Sequence, residues 1–350
     1  MIETSLPPQA DLHSEPVLLP NRPLGGQVRS VLGYSLLTAL MIVTPMVVFV
    51  PAALLHCAVR NGRRAAWIVL ALSLAVASIY ALSIPAAQPD AQKMAWSYLG
   101  AVALAVALPA MAAVPMVERG EKFGRVLVFL LAGAMVGLAL TEIASQLLLS
   151  FSPYAAQVAQ AKQTSAEFVQ AYRSKQMPPE AVSFVERWIS FSTFVLPAVL
   201  LINISLVFIL SLLMFGRLKA WRELTARRGD NDALGAYLFR NFALPDWVLF
   251  AFILGGLTPV VTGLLQKVAA NTLAVVAFLY ILQGLAIFRF MLSAMGAGFA
   301  GTMLGWLLLV FLMFTGIGPL LLGVAGLFDS FFDFRHFKKR KDDSHESHSD

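Results

Sequence analysis

Charge is what this chain most lacks. Only 13% of its 350 residues are Asp, Glu, Lys or Arg, while 58% are hydrophobic. A soluble domain carries about 25% charged residues, so these few cannot clothe a soluble protein of this length. Cysteine is almost missing too. The single Cys57 excludes an internal disulfide and a thiolate metal cluster. No Walker, H-E-x-x-H or Ser-His-Asp pattern occurs, so the chain is read as a non-enzyme, without a cofactor or bound metal. His336, His345 and His348 fall in a polar tail without a frame to hold an ion. The net charge of +6 does not point to nucleic acid. Its basic residues sit in short loops, where Lys and Arg act as membrane orientation signals.

What the chain has instead is length without charge. There are 29 uncharged residues between Arg187 and Arg217, 30 between Arg29 and Arg60, and 39 between Arg289 and Asp329. About 20 apolar residues span a hydrocarbon core. Apolar segments run over 31–59, 65–83, 94–116, 126–150, 189–215, 246–266, 270–295 and 301–328. The expected fold is all-α: a polytopic transmembrane helix bundle of about eight apolar segments, with the lipid bilayer as its partner.

Three parts differ from this pattern. Residues 1–29 are polar, hold five prolines and read as a disordered arm. Residues 337–350 read as a disordered charged tail, which leaves 30–336 as one membrane domain. Within it, 151–187 forms the longest polar connection. Thr164 and Glu167 match a capping box ahead of Phe168 and Tyr172. Pro178 and Pro179 stop that helix, and a second one carries Val182, Phe184, Val185 and Trp188. In the basic stretch 217–228, Trp221 is expected to anchor at the lipid headgroups.

Orientation follows from counting Lys and Arg. If all eight segments cross, the two sides carry 13 and 12, no bias at all. If the first and last segments are instead broken hairpins returning to their own side, the count becomes 19 against 6. Pro45 and Pro51 in the first, and Gly316, Gly318 and Pro319 in the last, suit such breaks. The second topology is preferred, with both termini cytoplasmic and 151–187 external. Each hairpin arm of about 14 residues would be roughly 21 Å long. That is too short to cross about 30 Å, so the arms must be shielded by protein or lie shallow.

Ionisable residues inside apolar segments are costly: Glu142 and Arg289 either mark a polar site or snorkel and pair at helix ends. Glu142 belongs near the external end and Arg289 near the cytoplasmic end, so the two are not expected to pair. Lys267 is the expected partner of Glu142; Asp329 or Asp333 is that of Arg289. Gln146 lies one turn beyond Glu142, and Asn203 and Gln283 sit deeper. Glu142, Gln146, Asn203, Lys267 and Gln283 either line a polar pocket for a small molecule or bridge helices. Gly296, Gly298 and Gly301 match G-x-G-x-x-G by letter, but the dinucleotide fingerprint needs a preceding strand. Gly133/Gly137 and Gly301/Gly305 are spaced for close helix packing.

Four segments carry a family resemblance: LYILQGLAIFRFML (279–292), GLFDSFFDFR (326–335), LPAVLLINISLVFILSLLMFGRL (196–218) and FALPDWVLF (242–250). Together they resemble the YybS-like bacterial membrane proteins over about residues 30–336. That family is similar to the substrate-binding membrane subunits of energy-coupling-factor transporters. The resemblance implies a small-molecule binder that docks on a coupling partner through small residues of an early helix. The first segment here lacks the A-x-x-x-A pair for that docking. The terminal motif of Asp329, Phe332, Asp333, Phe334 and Arg335 reads as a cytoplasmic lid, held against Arg289 or against a membrane or cytoplasmic protein partner. A non-transporting assembly protein working through 151–187 and 217–240 is the alternative.

Overall fold

The computed structural model describes residues 24–85, 88–174, 178–227, 235–296 and 298–332. Among them are 13 helices and no strand. The expected arm up to residue 23 and the tail from 333 onward lie outside the described residues; the first helix begins at Leu24, inside the stretch expected as arm.

The first apolar segment is broken. Helix α1 (Leu24–Ile42) ends before Pro45, whose ring cannot continue a helix. A short 3-10 turn, Pro45–Phe49, is capped by the Thr44 side chain, and α2 (Val50–Asn61) follows. Asn61 Nδ2 donates to Ser30 Oγ at 3.0 Å, so the end of α2 lies beside the start of α1. The segment therefore turns back to the end of the bundle from which it came.

Helices α3 (Arg63–Ser83), α4 (Pro89–Glu118) and α5 (Phe123–Leu149) are each long and apolar enough to cross a bilayer. Within α4 the backbone widens into a π turn over Val102–Ala107. There α5 comes so close that a Cβ on Gly137 would stand 2.1 Å from the Leu104 carbonyl oxygen. Gly133 similarly meets Pro109 at 3.0 Å, so this small-residue pair packs helices within the chain.

Ser152 opens α6 (Pro153–Ser174), its Oγ accepting from the Ala155 N–H at 3.0 Å. The helix thus begins well before the expected capping box, and Thr164 lies in its interior. A serine cap followed by Pro at the first helical position outweighs the later Thr/Glu pair. Helix α7 (Pro179–Phe194) then leads almost directly into α8 (Leu196–Phe215). Pro197 removes one donor from the junction, and the Asn271 side chain inserts into it. Its Oδ1 accepts from the Ala198 N–H at 2.8 Å and its Nδ2 donates to the Phe194 carbonyl at 3.3 Å.

At the opposite end of α8, α9 (Lys219–Arg227) packs on α2. Trp221 is fully buried rather than interfacial, 4.8 Å from the Tyr237 ring. Phe123, Phe215 and Phe242 complete this aromatic plug. The basic loops gather here, tied by the ion pairs Arg63–Glu118, Arg125–Glu121 and Lys219–Glu223.

The stretch 246–266, expected as one span, contains only α10 (Val248–Gly256), too short to cross. Extended backbone leads into it, and the Leu244 N–H finds its acceptor in Gln283 Oε1 at 3.0 Å. Non-helical backbone at this depth survives only where protein satisfies it. Helix α11 (Gly263–Ala294) then spans the bundle. The last apolar segment is α12 (Phe299–Phe314) and α13 (Ile317–Phe332), bent by 110° at the break. Helix α13 runs antiparallel along α11, where a Cβ on Gly326 would stand 2.0 Å from the Tyr280 carbonyl oxygen. Five helices thus meet the length for a span, or six with the bent pair, rather than eight.

Candidate functional site

Four elements border a half-open cavity of about 610 Å³ at the α6–α7 end of the bundle. Its walls come from α4 (Met94, Tyr98, Ala101), α5 (Met135, Leu138) and α8 (Leu200, Leu201), with α6 beside its polar end. The lining is mostly apolar. Polar atoms are supplied by Ser97, Thr141, Glu142, Tyr154, Gln157 and Gln160.

Glu142 joins the wall to α6. Its Oε1 accepts from Gln146 Nε2 at 2.8 Å and from the Ser152 hydroxyl. Its Oε2 accepts from the Tyr154 N–H at 3.0 Å. The carboxylate therefore sits on the first turn of α6, where unpaired amides and the helix dipole favour negative charge. Nearby, Ser97 and Ser145 share a hydrogen bond at 3.0 Å, and Thr141 donates to the Gly137 carbonyl at 2.8 Å. The Tyr98 hydroxyl donates to the Ile42 carbonyl at 2.9 Å, which connects the cavity wall to the turn of the first hairpin. The π turn in α4 follows Ala101 by one residue; such widened turns recur at functional sites.

The expected pocket residues divide. Glu142 lines the cavity and Gln146 braces it from an exposed position. Asn203 points outward from α8, away from the cavity. Lys267 is exposed at the start of α11, and among the described residues no ion pair joins it to Glu142. Gln283 is buried elsewhere, between the Leu244 N–H and Asp329, to whose Oδ2 it donates at 3.1 Å. Arg289 is exposed on α11. Antiparallel packing carries Asp329 up α11 to the level of Gln283 and beyond, so Asp329 and Arg289 are not brought together. Asp333 and Arg335 lie outside the described residues, as do the three tail histidines. Of the G-x-G-x-x-G glycines, Gly296 and Gly298 precede α12 and Gly301 lies in its first turn, without any strand before them among the described residues.

Sequence reasoning did not single out Ser97, Tyr98, Tyr154, Gln157, Gln160 or Asn271. Asn271 carried a usable signal, a polar residue near the start of a long apolar helix. The others depend on how α4 meets α6, which periodicity does not reveal.

The model of a family described as predicted membrane protein (DUF2232) matches residues 30–330. The chain belongs to that family. The match covers every helix that lines the cavity and ends within α13. No curated protein and no solved structure matches the chain. This DUF2232 protein is thus a helical membrane protein with five or six candidate spans among its described residues.

Proposed function

We propose that this DUF2232 protein is a transporter-like binding component that takes an amphipathic small molecule into the α4–α5–α6–α8 cavity, without an ATPase of its own. One observation carries the reading: a void of about 610 Å³ whose walls are apolar and whose polar groups cluster on α6. Ligand cavities have this composition and size, an apolar body with a few convergent polar groups. The ligand's apolar part would lie between Met135, Leu138, Leu200 and Leu201. Its hydrogen-bonding end would meet Gln157, Gln160 and Tyr154, with the Glu142 charge behind them. The resemblance to vitamin-transporter binding subunits agrees with this reading. This reading puts α6–α7 outside and the N-terminus in the cytoplasm of a bacterial cell, supported by the basic loops gathered at the opposite end; the expected cytoplasmic C-terminus does not follow, because α13 runs from that end back along α11.

The test is to purify the protein in mild detergent from its native membrane and identify bound molecules and co-purifying proteins by mass spectrometry. The expected result is a stoichiometric amphipathic molecule, lost from a variant of the lining residue Ala139, Ala139→Trp, whose ring intrudes on the cavity from α5. A coupling membrane subunit with its ATPase would add the transport step. A ligand-free wild type with a soluble or envelope partner overturns the reading in favour of an assembly protein. Labelling of a single cysteine at position 13 from outside intact cells would overturn the orientation.

A further inference from the structure

Helix α7 shows two opposed faces. Val182 is buried, and Glu186 pairs with Arg173 of α6 at 2.7 Å, so one face packs on α6. The other carries Phe184, Trp188 and Phe191 at helical spacing, and they are 64%, 62% and 54% exposed. Three large aromatics presented on one face need a covering.

The level of this face relative to the rest of the bundle is set by Asn271, whose side chain bonds both Phe194 and Ala198. Trp188 lies six residues before Phe194, about 9 Å at the helical rise. Leu264 and Leu265 lie a similar distance before Asn271 on α11, toward the same end of the bundle. They are 76% and 68% exposed, and Val260 and Val268 beside them are exposed too. Leu147 and Leu148, at the end of α5, extend the same apolar rim. Exposed apolar residues of α11 and α5 therefore continue past the α7–α8 junction toward the end that carries the aromatics. Exposed apolar residues also run on from α7 down α8, through Val199, Leu206 and Leu210.

We propose that the Phe184–Trp188–Phe191 face of α7 is seated in the headgroup–acyl boundary of the leaflet at this end, so that its occupant is lipid and not a protein partner. The chemistry fits, because aromatic rings with a neighbouring cation (here Arg187) settle at that depth. The consequence is mechanical: α7 tethers the α6–α7 hairpin to the membrane surface and holds the polar side of the cavity at the bilayer boundary. The proposal stands apart from the ligand reading, since α7 does not line the cavity.

The experiment places single cysteines at Phe184→Cys and Trp188→Cys in the full chain, spin-labels them, and reconstitutes the protein into phosphatidylethanolamine–phosphatidylglycerol vesicles. Cys57 is buried, and wild type labelled in parallel sets its background. Collision rates with oxygen and with a water-soluble nickel chelate are compared. Leu265→Cys is the lipid reference and Gln163→Cys, exposed on α6, the aqueous one. The expected oxygen-to-nickel ratio at 184 and 188 matches the Leu265 reference and exceeds the Gln163 reference several-fold. Ratios at both sites equal to the Gln163 reference overturn the proposal and leave the face open to a protein. If either variant does not run as wild type on size exclusion, Phe191→Cys replaces it.

Discussion

Two polar clusters lie deep in this bundle, and they differ in what surrounds them. Around Gln283 there is no space. Its oxygen accepts from Leu244, its nitrogen donates to Asp329, and the residue is 1% exposed. Around Glu142 the same kind of chemistry borders a cavity of about 610 Å³. Both clusters satisfy backbone: Gln283 serves an extended segment, Glu142 the first turn of a helix. A polar group at membrane depth is therefore not a site by itself. What separates the two is whether the helices close over the group or stand apart beside it.

The comparison breaks most sharply at Gln283. Gln283→Leu leaves the buried Leu244 N–H without its acceptor and removes a bond to the Asp329 carboxylate. A buried group stripped of its partner costs about 1–3 kcal/mol, more for a charged one, so a loss of about 3 kcal/mol is expected. It should appear as a lower midpoint of unfolding in detergent and a lower folded yield. An unchanged midpoint would mean that the extended approach to α10 needs no internal acceptor.

Asn271→Leu comes next. It removes two bonds from the α7–α8 junction, where Pro197 has already taken a donor. A loss of about 2 kcal/mol is expected, with faster hydrogen exchange at Ala198. The bound molecule would persist, because Asn271 does not line the cavity. Loss of the ligand with stability intact would move Asn271 into the site.

Glu142→Gln is smaller in stability and larger in function. An amide keeps one acceptor where the carboxylate offered two, so the bond from the Tyr154 N–H is lost. About 1 kcal/mol is expected, together with faster exchange in the first turn of α6. If the cavity binds a ligand, its affinity falls while the unfolding midpoint moves only slightly. A large fall in midpoint without any change in ligand would make Glu142 a counterpart of Gln283.

Much of this was legible in the residues. The uncharged runs announced a membrane bundle, and Pro45 and Gly316 marked the two segments that break. Glu142 and Gln146 were recognisable as a pair from their spacing. What could not be read was depth. Arg289 and Asp329 looked matched because both flank the last segment, but the reversal of α13 along α11 moves Asp329 away. Trp221 looked interfacial because basic residues surround it in sequence; the fold turns its ring inward onto Tyr237. The stretch 246–266 looked like a span because hydropathy does not register a turn at residues 257–262, where no residue is charged.

Asn203 supplies the smallest effect and the cleanest control. By sequence it was grouped with Glu142 as a pocket candidate, deeper in the membrane, and its depth alone cannot distinguish a pocket wall from a lipid-facing surface. In the structure its side chain faces outward, on the face of α8 that also exposes Leu206 and Leu210. A polar amide there has no packing role to lose, and substitutions away from such features stay within about 0.5 kcal/mol. Asn203→Leu should therefore leave the unfolding midpoint, the folded yield and any bound molecule as in wild type. A drop in yield would indicate that the amide meets a second helix in the membrane, which would make this face of α8 a protein contact instead of a lipid one.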